Sequence, residues 1–97
     1  MVCSRNVIRN FRHRGLERYF AGSDRRGISA AHEPRIRRLL DRLDAAAVPE
    51  DMNLPGYRFH LLRGFPRRYA VTVSGNWRIT FGFVDGDAVD VNLEDYH

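Results

Sequence analysis

An α+β fold, with two N-terminal helices packed on one face of a small and mainly antiparallel sheet, is predicted by a change of hydrophobic period along the chain. Across residues 14–47 the apolar positions recur with helical spacing, and across residues 57–93 they recur every second residue. Turn signals at Ser74-Gly75-Asn76 and Asp85-Gly86 divide the second half into consecutive strands. Helices followed by hairpin-linked strands bury their apolar faces against one another in an α+β arrangement. The 97 residues suffice for one core of two layers, and no repeat or low-complexity stretch divides them, so residues 1–97 are read as one domain.

The elements follow in order. Val7, Ile8 and Phe11 are expected to open the fold as a first strand. Leu16, Tyr19 and Phe20 share one face of a short amphipathic helix that Gly22 can terminate. In a longer helix Ile36, Leu39, Leu40 and Leu43 form the apolar stripe, and Arg35, Arg37, Arg38, Asp41 and Arg42 largely occupy the other faces. Pro34 suits the first turn, whose N–H groups have no intrahelical partner. Ala45-Ala46-Ala47 then leads into Pro49, expected to stop the helix, and a loop with Pro55 and Gly56 follows.

From residue 57 the period is two. Tyr57, Phe59 and Leu61 alternate with Arg58, His60 and Leu62, which sends His60 to the face opposite Tyr57 and Phe59. Tyr69, Val71 and Val73 precede the first turn, Trp77, Ile79, Phe81 and Phe83 follow it, and Val89, Val91 and Leu93 follow the second. The row from Trp77 to Phe83 is expected to be core beneath the helices, with Arg78 and Thr80 on the outer face. That face is expected to collect Arg58, His60 and Arg78, with Arg63 in the loop beyond and Asp95-Tyr96-His97 after the last strand.

Charge narrows the functional classes. All 16 of the Lys and Arg residues are arginine, and the net charge is +4. Arginine presents a permanently charged planar fork to phosphate oxygens, so a polyanionic partner is expected; the total absence of lysine is better explained by codon bias, so the excess of positive charge counts for more than the choice of arginine. The apolar runs are too short to span a membrane, and the N-terminus lacks the apolar stretch of a secretory signal, so a cytoplasmic location is expected. Cys3 is the only cysteine, which leaves no internal disulfide and no cysteine-based zinc site. The histidines and Asp95 lack close ligand spacing, and neither a metal nor a cofactor is expected.

Metal-independent RNA cleavage needs a base for the 2′-hydroxyl proton, positive charge against the phosphorane and an acid for the departing 5′-oxygen. His60 and His97 suit proton transfer at neutral pH, and Asp95 is a candidate base or an orienter of a histidine. Arg63 and Arg78 can grip the scissile phosphate, and Tyr96 can stack or donate its hydroxyl. These six are the candidate catalytic residues, with acid and base unassigned among them; Arg58, Arg67, Arg68 and Asn76 are the candidate RNA contacts. Residue by residue a structural explanation is also available: a solvated strand arginine, a structural histidine, a frayed terminus.

Longer stretches carry a resemblance. Arg14-Gly15-Leu16-Glu17-Arg18-Tyr19-Phe20, the run of residues 49–60 ending Gly56-Tyr57-Arg58-Phe59-His60, Val71-Thr72-Val73-Ser74-Gly75-Asn76-Trp77-Arg78-Ile79-Thr80-Phe81 and the final Asp95-Tyr96-His97 resemble the HigB branch of the RelE superfamily of type II toxins. The resemblance runs from about residue 7 to the end, and residues 1–6 look like an extension before the usual start. It implies the RelE-like microbial RNase toxin fold and a ribosome-dependent endoribonuclease that cuts mRNA in the small-subunit decoding site. It also implies silencing by a HigA-like helix-turn-helix antitoxin, with a toxin–antitoxin heterotetramer on operator DNA as one form of the complex. His60, Arg78, Asp95, Tyr96 and His97 match the family's active-site surface. Arg63 stands where lysine is common, and arginine keeps the phosphate grip but is a poor proton donor. The alternatives are a non-cleaving RNA- or ribosome-binding or gyrase-targeting toxin on the same fold, and a module whose basic face receives an acidic protein.

Overall fold

The computed structural model describes residues 8–22 and 24–95. Two helices, α1 (Arg14–Gly22) and α2 (Glu33–Ala45), precede a four-stranded antiparallel sheet of β1 (His60–Leu62), β2 (Arg68–Ser74), β3 (Trp77–Val84) and β4 (Asp87–Asp95) in spatial order β1-β2-β3-β4. No helix among the described residues is long and apolar enough to cross a membrane.

The helical stripes meet the inner face of the sheet. Leu16 and Tyr19 of α1 and Ile36, Leu39, Leu40 and Leu43 of α2 are buried in one cluster with Val71, Val73, Ile79, Phe81, Val91 and Leu93. The two helices are also tied directly, because the Tyr19 hydroxyl donates to Glu33 Oε2 at 2.6 Å. His13 caps α1: its Nδ1 accepts the Leu16 N–H at 3.1 Å, satisfying one of the helix's orphan donors. Gly15 has a steric reason. A Cβ there would lie 2.6 Å from the Gly27 carbonyl oxygen, so the loop between the helices can press on α1 only where the side chain is absent.

Four local expectations change. Ile8 and Phe11 make single parallel bridges to Ala88 and Val91 at the β4 edge rather than a strand, and Val7 lies outside the described residues. Between them Asn10 is bonded to Asp90, donating to Oδ1 at 2.7 Å and accepting the Asp90 N–H at 3.0 Å, so the ladder does not run on regularly. The second change is at that same Asp90. With φ of 51° it inserts an extra residue into β4 between the Thr80↔Asn92 and Gly82↔Val89 pairs, which exchanges the two faces. Ala88 rather than Val89 is therefore core, together with Val91 and Leu93.

The third change is that α2 ends at Ala45, before Pro49, which starts a separate 3-10 turn, Pro49–Met52. Asp51 Oδ2 accepts the Ala47 and Val48 N–H groups at 2.8 and 3.3 Å and fixes that corner. The fourth is that the strand expected over residues 57–62 is regular only at His60–Leu62, because Arg58 takes a left-handed φ of 52°. The Tyr57 carbonyl still accepts the Thr72 N–H at 2.6 Å, so one additional residue is accommodated before His60. The hairpin signals stand. Asp85 and Gly86 have φ of 53° and 85°, the pair of positive values that a two-residue type I′ turn requires.

Candidate active site

Register determines what the outer face presents. The pairs His60↔Ala70, Ala70↔Thr80 and Thr80↔Asn92 form one row across the sheet, and Thr72↔Arg78 and Arg78↔Glu94 form the next. Long side chains on β1 and β3 thus flank the short Ala70 and Thr72 of β2. His60 and Arg78 belong to strands two spacings apart, roughly 10 Å. The result is an open groove of about 990 Å³ whose lining includes Arg58, His60, Arg63, Thr72, Asn76 and Arg78.

His60 is exposed, and its Nδ1 lies 2.8 Å from the Arg58 carbonyl oxygen. A carbonyl can only accept, so Nδ1 carries the proton and Nε2 is the acceptor of the neutral ring. The left-handed turn at Arg58 brings that carbonyl back to a side chain two residues on. A non-glycine residue held in this region costs about 1–3 kcal/mol, a strain that recurs at functional sites. The same turn leaves the Arg58 side chain exposed at the groove wall.

Arg78 is held from beneath by a hydrogen-bonded chain. Its side chain is 17% exposed, and Nη2 lies 3.7 Å from Glu94 Oε1. Glu94 Oε2 accepts the Thr80 hydroxyl at 2.7 Å and the Asn92 amide at 3.3 Å. Thr80, fully buried, accepts from Arg68 Nη2 at 3.0 Å, and the same Nη2 reaches the Asp90 carbonyl at 2.9 Å. Burial pushes the Glu94 carboxyl up, but the Thr80 and Asn92 hydrogen bonds and the Arg78 and Arg68 charges together hold it below its ordinary value. Burial, then the Arg12 charge, lowers Arg68, against the pull of Glu94 and Asp90.

Of the expected site residues, His60, Arg63, Arg78, Arg58 and Asn76 line the groove. Arg67 is exposed in the loop between β1 and β2 and is not part of the lining. Arg68, expected at the RNA surface, is engaged in the network behind Arg78. Asp95 does not lie beyond the last strand. It is the final residue of β4, paired with Trp77, and alternation puts it on Trp77's side of the sheet rather than on that of Arg78. Tyr96 and His97 lie outside the described residues.

Sequence reasoning placed Thr80 on the outer face with Arg78 but missed Thr72 and Glu94 as parts of this surface, and missed the bonds that tie Thr80 to Glu94 and Arg68. Alternation alone puts Thr72 beside Arg78, since it is the polar residue between two buried valines. It also missed that Trp77, assigned to the core, lines the groove as well, with its ring against His32 at 5.9 Å.

A family model described as "RelE-like toxin of type II toxin-antitoxin system HigB" matches residues 9–97. The Endoribonuclease HigB of Proteus vulgaris is 39% identical over 92 residues, which cover 94% of this chain and 100% of that protein.

Proposed function

Since the chain belongs to the HigB-like family of RelE-like toxins, we propose that it is the endoribonuclease toxin of a type II toxin–antitoxin pair, cutting mRNA on the ribosome in the cytoplasm. Family membership implies an antitoxin partner; the proposal is that this partner is a HigA-like helix-turn-helix protein. The observation that carries the proposal is the groove itself, where a histidine of defined tautomer and four further polar or cationic side chains, Arg58, Arg63, Asn76 and Arg78, converge on one face.

In the proposed reaction His60 Nε2 takes the proton from a 2′-hydroxyl, with Nδ1 anchored on the Arg58 carbonyl. The 2′-oxygen bonds to phosphorus, Arg63 and Arg78 stabilise the phosphorane, and the bond to the 5′-oxygen breaks. The leaving oxygen takes its proton from an acid at the chain's end, where His97 is the side chain suited to donate near neutral pH. Tyr96 offers a ring for stacking, and Arg58 and Asn76 hold the neighbouring nucleotides. The products are a 2′,3′-cyclic phosphate and a 5′-hydroxyl.

The test is induction in cells with the 5′ ends of mRNA mapped by primer extension. Discrete new ends inside reading frames are expected, reduced by roughly 10²- to 10⁴-fold in His60→Ala, the usual scale of a general acid or base. Intact message with lowered translation would overturn the proposal in favour of a non-cleaving binder.

A further inference from the structure

Phe65 is 98% exposed, whereas the other exposed large hydrophobics, Val48, Leu61 and Val84, lie between 45% and 53%. It stands in the connection Arg63-Gly64-Phe65-Pro66-Arg67 between β1 and β2, where Gly64 has φ of 109° and the Phe65–Pro66 peptide is cis. The ring is almost wholly open to solvent, so it adds nothing to the core and is free to meet a partner.

Its surroundings identify the partner's chemistry. Arg63 and Arg67 bracket the ring in sequence, both are exposed, and neither has an ion-pair or hydrogen-bonding side-chain partner among the described residues. Arg63 also lines the groove, so the loop continues the proposed cleavage site. An aromatic face between two uncommitted arginines is the arrangement that binds single-stranded nucleic acid, with bases stacked on the ring and phosphates on the guanidinium groups. The place of the loop at the groove, through Arg63, favours the RNA strand over a protein surface as the occupant.

We propose that Phe65 is a stacking platform for an unpaired RNA base next to the cleaved nucleotides, with Arg67 contacting the phosphate as the strand leaves the groove past Arg63. This rests on the RNA-cleaving reading of the groove and adds a subsite to it.

The test uses mRNA oligonucleotides carrying one abasic nucleotide at successive positions around the cut, presented free or on ribosomes, whichever the wild type cleaves. One abasic position is expected to lower kcat/KM by about 5- to 150-fold in the wild type, the scale of one base–aromatic stack, and to have no effect in Phe65→Ala. Phe65→Tyr should keep the wild-type pattern and Phe65→Leu should behave as Phe65→Ala, with Tm unchanged in all three. Arg67→Ala should lower the log-log salt slope of binding by about 0.7, and Phe65→Ala should leave it unchanged.

Cleavage by Phe65→Ala at the wild-type rate with the same abasic profile would overturn the proposal. So would unchanged cleavage accompanied by lost affinity for the antitoxin, which would assign the ring to a protein partner. A wild type that cuts neither form of RNA would defeat the nuclease reading instead. Stacking is then decided by anisotropy with a 2′-deoxy-blocked oligonucleotide, intact against abasic, and equal affinity for the two would refute it.

Discussion

Replacing Thr80 with valine tests how Arg78 is held. The hydroxyl is fully buried, donates to Glu94 at 2.7 Å and accepts from Arg68 at 3.0 Å. A hydrogen bond to an ionised group contributes roughly 1.5–3 kcal/mol, so two of them amount to about 3–6 kcal/mol. Valine has nearly the same shape and returns up to about 0.8 kcal/mol through its extra methyl. Glu94, with 34% of its side chain exposed, recovers part of its solvation from water. A net destabilisation of about 2–4 kcal/mol remains, which for a domain this small lowers Tm by roughly 10–25 °C. Thr80→Ser keeps both hydrogen bonds and is expected to lose only about 1 kcal/mol, for the missing methyl.

The pH dependence supplies an independent check. Glu94 is held below its ordinary value of 4.5 in the folded protein, so its contribution is fully present above that pH and is lost as pH falls through the folded value. Thr80→Val removes one cause of the lowering, and its stability deficit should therefore narrow in acid. Since Glu94 faces Arg78, a shift of the guanidinium on the order of 1 Å should cost about 10- to 100-fold in RNA cleavage. Urea denaturation at neutral and acidic pH together with single-turnover cleavage measures all three effects. A Thr80→Val protein within about 0.5 kcal/mol of wild type, with unchanged cleavage, would refute the reasoning.

Two further outcomes concern α1. Gly15→Ala is expected to destabilise by about 1–3 kcal/mol despite alanine's better helix propensity, because the new Cβ meets the Gly27 carbonyl at 2.6 Å; a raised Tm would show that the loop moves aside freely. Burial lowers the His13 pKa below its ordinary 6.5, so the unfolded chain takes up a proton there before the folded one does. Stability should therefore decline as pH drops from 6.5 through the folded value, and His13→Asn, which keeps a capping acceptor, should remove that part of the decline in urea titrations between pH 7 and 5. Identical slopes for the two proteins would contradict the lowering of the His13 pKa by burial.

Hydrophobic period made the helices and hairpins legible because burial on one face dictates it. It assigned the stripe of Ile36, Leu39, Leu40 and Leu43 and the outward direction of Arg78 correctly. Period failed where one backbone angle resets the alternation. Arg58 and Asp90 adopt positive φ without being glycine, and nothing in composition announces that. The first cut β1 to three residues and set the His60 ring on a carbonyl, and the second exchanged Val89 for Ala88 in the core.

The site was legible in part for a related reason. His60, Arg63 and Arg78 are residue types that attract attention, and register brings them to one groove. Thr80 and Glu94 matter through each other and through Arg68, a cross-strand relation visible only once β2, β3 and β4 are in register. Asp95 shows the converse: proximity in sequence to Glu94 puts it on the other side of the strand.

The most direct measurement is end-group analysis of mRNA cut by the purified protein on programmed ribosomes. Cleavage through the 2′-hydroxyl predicts upstream fragments ending in a 2′,3′-cyclic phosphate and downstream fragments beginning with a 5′-hydroxyl, both lost in His60→Ala with the circular dichroism spectrum unchanged. Fragments beginning with a 5′-phosphate, or cleavage by His60→Ala at the wild-type rate, would contradict it.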